Sequence, residues 1–281
     1  MSMEQTLRQA MDAIKGVKLP ELPEEVLQLE RELASRFVSN QTIANIIEQN
    51  TTLSGEVLRL VNSPAMKMKT PSKTIREAVD KLGLNNIRNL VVSAMLQRMF
   101  SASRLYKDIM DHSVDVAYCM AELSEWVDGV TRDEAYMLGL FHNAGCLMLA
   151  TKDAKGYEDL FALSHSIPKT IIHKEYERYN STHTAIGVLL GKKWHLPVDM
   201  LSAIYLHHIE ACESISNAKV RAMVAMIKAS NAIVNEISLG TYRSQEMREY
   251  EADGQQELMI ADEAIKEIRI ALMSFYGKTS A

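Results

Sequence analysis

The chain has 281 residues, 47% of them apolar, with only 12 Gly and 6 Pro, a composition that excludes disordered and collagen-like chains. Lys and Arg number 31 against 36 Asp and Glu, a net charge of −5 that lacks the basic excess needed for phosphate-backbone binding and argues against a nucleic-acid partner. No apolar run approaches the roughly 20 residues that cross a bilayer, and the first residues carry acids rather than a signal-like apolar core, so no membrane association is expected.

Cys119, Cys146 and Cys212 are odd in number and lie singly among apolar neighbours, as reduced core cysteines of a cytoplasmic protein do. At this length one hydrophobic core nears its upper limit, so two lobes are expected.

Helical spacing dominates from the N-terminus. Val26, Leu29 and Leu33 share a face, as do Ile43, Ile46 and Ile47, and then Val57, Leu58 and Val61. Asn62-Ser63-Pro64 ends that third helix, because the residue before a proline is pushed out of the α region. Ser72 or Thr74 can cap a short helix with Ile75, Ala78, Val79 and Leu82, which Gly83 terminates. Asn85 or Asn86 is expected to open a longer helix with Leu90, Val91, Met95 and Met99. It is apolar on most sides and therefore buried, a spine between the lobes.

The second lobe begins near Ser101. Its first helix carries Val114, Ala117, Cys119, Met120 and Leu123 and is expected to end near Asp128-Gly129. Thr131 and Glu134 make a capping box for a helix from Arg132 to His142. Further helices are expected at about 155–164, 168–175, 181–194, 198–208 and 217–239. Glu246, Glu249, Glu251 and Asp253, followed by Gly254, read as an acidic loop before a last amphipathic helix from about Leu258 to Phe275. The expected fold is all-α, with two closely packed helical lobes over residues 1–100 and 101–240, and a loop and helix over 241–281.

His112, His142, His183, His207 and His208 all fall in or at the ends of second-lobe helices. Imidazoles gathered from separate helices can hold a transition metal. A hydrolytic centre also uses carboxylates to offset the charge of its ions, and the residue after His142 is Asn143, whose amide brings no charge. Asp108, Asp111 and Asp115 flank His112, and Glu175 and Glu177 precede His183; they could substitute only if the fold turned them inward. The plainer reading makes His112 a bridge between packed helices and His142 with Asn143 a buried hydrogen-bonded pair. His207 and His208 are expected to point apart on one helix, so that at most one faces a pocket. His165, His173 and His195 read as surface or boundary residues, and Met66, Met68, Met95 and Met99 as adaptable packing. Gly187 to Lys193 has the wrong glycine spacing for a phosphate loop and sits in a helical pattern.

Several segments, in order, carry a resemblance. They are LPELPEEVLQL at 19–29, TIANIIEQNTTLSGEVLRLVNSPA at 42–65, TIREAVDKLGLNNIRNLVV at 74–92 and DHSVDVAYCMAEL at 111–123. GLFHNAGCLML at 139–149, STHTAIGVLLGKKWHLP at 181–197 and AIYLHH at 203–208 continue it. Together they resemble the HDOD family, a branch of the HD-domain superfamily whose metal-dependent phosphohydrolase site is eroded.

The resemblance implies an HD-like second lobe. It places His112 at the first histidine, His142 and Asn143 at the His-Asp doublet, and His183 in the next motif, preceded by Glu175. His207 and His208 match the paired histidines, and the final aspartate falls near Ser230-Asn231. Asn143 and Asn231 are thus the degenerate positions, and Asn50-Thr51 stands where the family commonly shows Asp-Pro.

The expected function is a non-enzymatic signalling or regulatory module that binds a protein partner, with no cofactor beyond a weakly held divalent transition metal. The alternatives are a metal-dependent phosphohydrolase or phosphodiesterase of a nucleotide-like substrate, and a ligand or metal sensor without catalysis. A groove between the lobes could admit a partner helix or a small molecule. Asn62, Ser63, Pro64, Leu82 and Gly83, at helix ends, are where rearrangement would cost least.

Overall fold

The structure, a computed structural model, describes residues 2–100, 103–240 and 243–279. Every regular element among them is helical. The N-terminal helices are α1 (Met3–Ala13), α2 (Glu24–Leu33), α3 (Asn40–Glu48), α4 (Thr51–Val61), α5 (Ile75–Leu82) and α6 (Leu84–Met99). Then come α7 (Arg104–Leu123), α8 (Arg132–Phe141), α9 (Ala144–Lys152), α10 (Ala154–Ser164), α11 (Thr170–Tyr179), α12 (His183–Lys193) and α13 (Val198–Leu206). The chain closes with α14 (Ala218–Leu239), α15 (Gln245–Leu258) and α16 (Asp262–Thr279). None of the described helices is long and apolar enough to cross a membrane.

Local chemistry sets most of the boundaries. Ser39, Asn50, Thr74, Ser103, Thr131, Thr182 and Asn217 each accept a backbone N–H from the first turn they precede. Asn50 thereby caps the turn that opens α4. Of the two candidate caps for α5, Thr74 does the capping. Ser72 instead joins Asn62, whose side-chain amide donates to Ser72 O at 2.8 Å while its oxygen accepts Ser72 N–H at 2.7 Å, closing the loop after α4.

The residue that opens α6 is Gly83 rather than Asn85 or Asn86. At φ 83° it ends α5 and starts the next helix within one residue, a backbone state that glycine adopts without a Cβ penalty. The helix expected to reach Asp128 stops at Leu123. The expected lobe boundaries at Ser101 and Thr241 lie outside the described residues.

Two helices were not expected. α9 lies inside the apolar run after Asn143, where periodicity cannot separate a break from a continuous helix. The supposed acidic loop is α15. Ser244 caps it, and Met247, Tyr250 and Gly254, spaced three and four apart, form its buried face. Gly254 is there for proximity, not for a turn: a Cβ at this position would stand 2.8 Å from Ala225 O of α14. Gly145 plays the same part between α9 and α12, where a Cβ would come within 1.9 Å of His183 O.

One continuous core runs from Ala10 to Leu272. α6 packs against α2, α4, α5 and α8 and so joins the N-terminal helices to the rest. Lys67, at φ 45°, holds Glu122 and Glu125 at 2.9 Å each, and Arg132 also pairs with both carboxylates. This ties the turn at Pro64–Met66 to α7 and α8. Met95 in α6 is 1% exposed. Met95→Asp should lower the free energy of unfolding by about 3 kcal/mol, because the carboxylate gains no partner there. Urea denaturation with an unchanged midpoint would contradict this.

Candidate functional site

Helix ends bring the histidines together. His112 lies in α7, and His142, His165 and His207 each directly follow the last residue of a helix: α8, α10 and α13. His183 is the first residue of α12, and Asn231 and Asn235 come from α14. The placement at C-termini matters, because the last turn of a helix leaves carbonyls without intrahelical donors. The His142 ring donates from Nδ1 to Gly139 O at 2.6 Å, and His207 Nδ1 donates to Ile204 O at 2.8 Å. Those bonds leave each Nε2 as a bare lone pair aimed away from its own helix.

The described structure groups His112, His142, His183, His207 and His208 around one cavity, with Asn143, Asn231 and His165 also in its wall. Two expectations need correction, and one boundary residue joins the site. His165 is half-buried, as a boundary residue is, yet its ring lies 4.6 Å from that of His112 and 4.9 Å from that of Phe161. Its signal would have been its position at the end of an apolar helix bearing Leu160 and Phe161.

His207 and His208 do not point apart. α13 ends at Leu206, a tight turn follows with Ile209 N–H donating to Leu206 O at 2.7 Å, and helical phase no longer separates the two rings. Both Nε2 atoms approach His183 Nε2, at 3.3 Å from His207 and 3.1 Å from His208. Finally, His142 is not paired with Asn143. The Asn231 side chain joins His142 Nε2 at 3.4 Å to His112 Nε2 at 2.8 Å. His112 is thus a bridge between packed helices through Asn231. His173 is exposed, and His195 is half-exposed with Glu30 at 2.7 Å.

The turn carrying His207 and His208 is held from α14 and α15. Tyr250 donates to His207 O at 2.8 Å and stacks on the His208 ring at 5.9 Å. Lys228, fully buried, donates to Ile209 O at 2.6 Å and pairs with Asp253 at 2.6 Å.

Burial disfavours the charged form of five of these rings. Desolvation, then neighbouring histidines, push His112, His207 and His208 well below the usual imidazole range. Desolvation holds His142 and His165 at about 4. No Asp or Glu lines this cavity among the described residues. Asp108 sits near Arg104 on the surface, and Asp111 and Glu177 are exposed. The nearest carboxylate is Glu175, fully buried behind His183. It accepts His183 N–H and Nδ1–H, each at 2.8 Å, and the Tyr157 hydroxyl at 2.6 Å.

The donor set favours one kind of ion. His183, His207 and His208 offer nitrogens within 4.8 Å of one another. With Nδ1–H given to oxygen in both His183 and His207, their Nε2 lone pairs face each other at 3.3 Å, a repulsion that a proton or a cation between them removes. A carboxylate or carbonyl behind each ring is also the support that metal-bound histidines use. A single imidazole-preferring ion fits these residues, and a pair of ions bridged by hydroxide does not, because Asn143 and Asn231 contribute no charge. Cys146 with Glu175 and His183 is a poorer set: burial raises the Cys146 thiol well above its ordinary pKa, and Glu175 is already engaged by three donors. The cavity is about 20 Å³. One water or ion needs roughly 10–15 Å³, so it admits one such particle and no nucleotide.

Comparison with known proteins gives the family and the fold. A family model described as HDOD domain matches residues 19–210. An uncharacterized protein of Treponema pallidum (strain Nichols) is 26% identical over 194 residues, which make up 68% of this chain and only 37% of that protein's length. Among solved structures, an HDOD domain protein of unknown function from Geobacter sulfurreducens superposes with a TM-score of 0.69 at 22% identity, covering 98% of this chain and 99% of that one. A candidate metal-dependent phosphohydrolase from Shewanella amazonensis SB2B gives 0.67 at 19% identity over 98% and 99%. A candidate signal transduction protein from Marinobacter aquaeolei VT8 gives 0.68 at 19% identity over 99% of this chain and 66% of that one. At these identities the structural likeness establishes a shared fold.

Proposed function

Because the chain belongs to the HDOD family, we propose that it is a non-enzymatic regulatory module that acts by binding another protein in the cytoplasm. One observation carries this reading: the histidine centre is a small cavity of about 20 Å³ without a lining carboxylate. A hydrolase must offset the charge of its ions, and the lining of this centre supplies no carboxylate to do so. The signalling description of the Marinobacter protein, which shares the fold, supports the same direction.

The facing Nε2 atoms of His183 and His207 favour a second role for the centre, as the seat of a single weakly held divalent transition metal. Such an ion would rest on His183, His207 and His208 and cross-link α12 to the turn after α13. When bound it would supply ligand-field cross-linking of those imidazoles and no hydrolytic step.

The test of the regulatory reading is capture of a partner from an extract of the native organism, followed by calorimetry on the purified pair. A one-to-one complex with a dissociation constant of micromolar or tighter is expected, reached with the chain metal-free or loaded. Failure of every captured protein to bind directly would remove the adaptor reading.

A further inference from the structure

A pocket of about 840 Å³ opens beside the histidine centre, and His208 lines both. Its size is that of a site for a drug-sized molecule, roughly 300–1,000 Å³. We propose that this pocket binds a small organic cation with an aromatic or apolar body. The inference is independent of the role given to the histidine centre and can fail without it.

Three features exclude a phosphate-bearing ligand. The first two concern helix N-termini, the natural seats for anions. At α11 the seat is taken by Glu246, reaching from α15: its carboxylate accepts Thr170 N–H at 2.7 Å and the Thr170 hydroxyl at 2.7 Å. At α12 it is taken by Glu175, which accepts His183 N–H at 2.8 Å. The third is the charge of the lining. Glu210, Glu246 and Glu249 face one lysine, Lys169, whose ammonium is already 3.2 Å from Glu249. An incoming phosphate would meet net negative charge from these residues.

The same lining suits a cation. Tyr176 and Tyr205 line it, Tyr176 being 41% exposed, and an ammonium over a phenol ring is attracted by its quadrupole. Ile172, Leu206 and Ile209 add the apolar surface that an aromatic or aliphatic body needs. Ser181 also lines the pocket. It is 4% exposed, and its hydroxyl has no hydrogen-bond partner in the described structure. A buried polar group in that state is costly.

The experiment is calorimetric titration of the full chain with tyramine and with hydroxyphenylpropionate, which share a phenol and a two-carbon arm and differ in the sign of the end group. Tyramine is expected to bind at least about tenfold more tightly. Glu210→Lys combined with Glu249→Lys should erase that preference, and since both residues are exposed the variant should keep its helical circular dichroism and melting profile. Three results would overturn the proposal: no heat from tyramine at millimolar concentration, hydroxyphenylpropionate binding as tightly as tyramine, or an undiminished preference in the folded double variant.

Discussion

Metal-stripped protein is expected to lose most of its stability as the pH falls from about 6.5 toward 4. An unfolded histidine titrates near 6.5, while burial holds His142 at about 4 in the folded chain. Between those values the unfolded state binds a proton that the folded state refuses, so acid favours unfolding. The stability that neutral His142 contributes is complete above about 6.5, declines through the interval, and is gone below about 4. At 1.36 kcal/mol for each pH unit, His142 alone accounts for about 3 kcal/mol. Desolvation depresses His112, His165, His207 and His208 in the same direction, so their effects add to this one with the same sign. Urea titrations in chelator at pH 7, 6, 5 and 4 measure it. A free energy of unfolding that stays flat across this range would show that the rings are hydrated or already protonated.

Glu175→Ala should cost about 3–5 kcal/mol, the scale for removing one member of a buried charged network. The carboxylate is fully buried and serves His183 N–H, His183 Nδ1–H and the Tyr157 hydroxyl together. Alanine would strand all three donors where water cannot reach them. Glu175→Gln keeps the shape and one acceptor oxygen, and should cost roughly half as much. Chemical denaturation of the two variants separates the cases. A loss under about 1 kcal/mol for the alanine variant would mean that the α11–α12 corner relaxes enough to let water in.

The fold was legible because capping and periodicity act over a few residues. Thr131 with Glu134, Thr74 before Ile75 and Asn62-Ser63-Pro64 each set a helix end by contacts within one turn. α15 was not legible as a helix because its acids outnumber the apolar residues that fix it, and its Gly254 answers to a neighbour nearly thirty residues away, Ala225. The histidine set could be listed from the sequence, but its geometry could not. Helical phase predicts divergence of His207 and His208 only while the helix continues, and the turn after Leu206 is shaped by Lys228 and Tyr250 from α14 and α15. The pairing of His112 and His142 through Asn231 likewise depends on helix packing across 119 and 89 residues of chain. That these two positions carry no charge, by contrast, is plain in the residue identities Asn143 and Asn231.

The central proposal is that this small cavity lined by imidazoles does not hydrolyse nucleotides. Its most direct test is phosphate release from mono-, cyclic di- and polyphosphorylated nucleotides by purified protein with Mn²⁺, Fe²⁺ or Mg²⁺, beside a metal-only control and His142→Ala. No release above the control is expected from either protein with any of the ions. Catalytic turnover by the unaltered chain that disappears in His142→Ala would contradict the account and make the centre an active site.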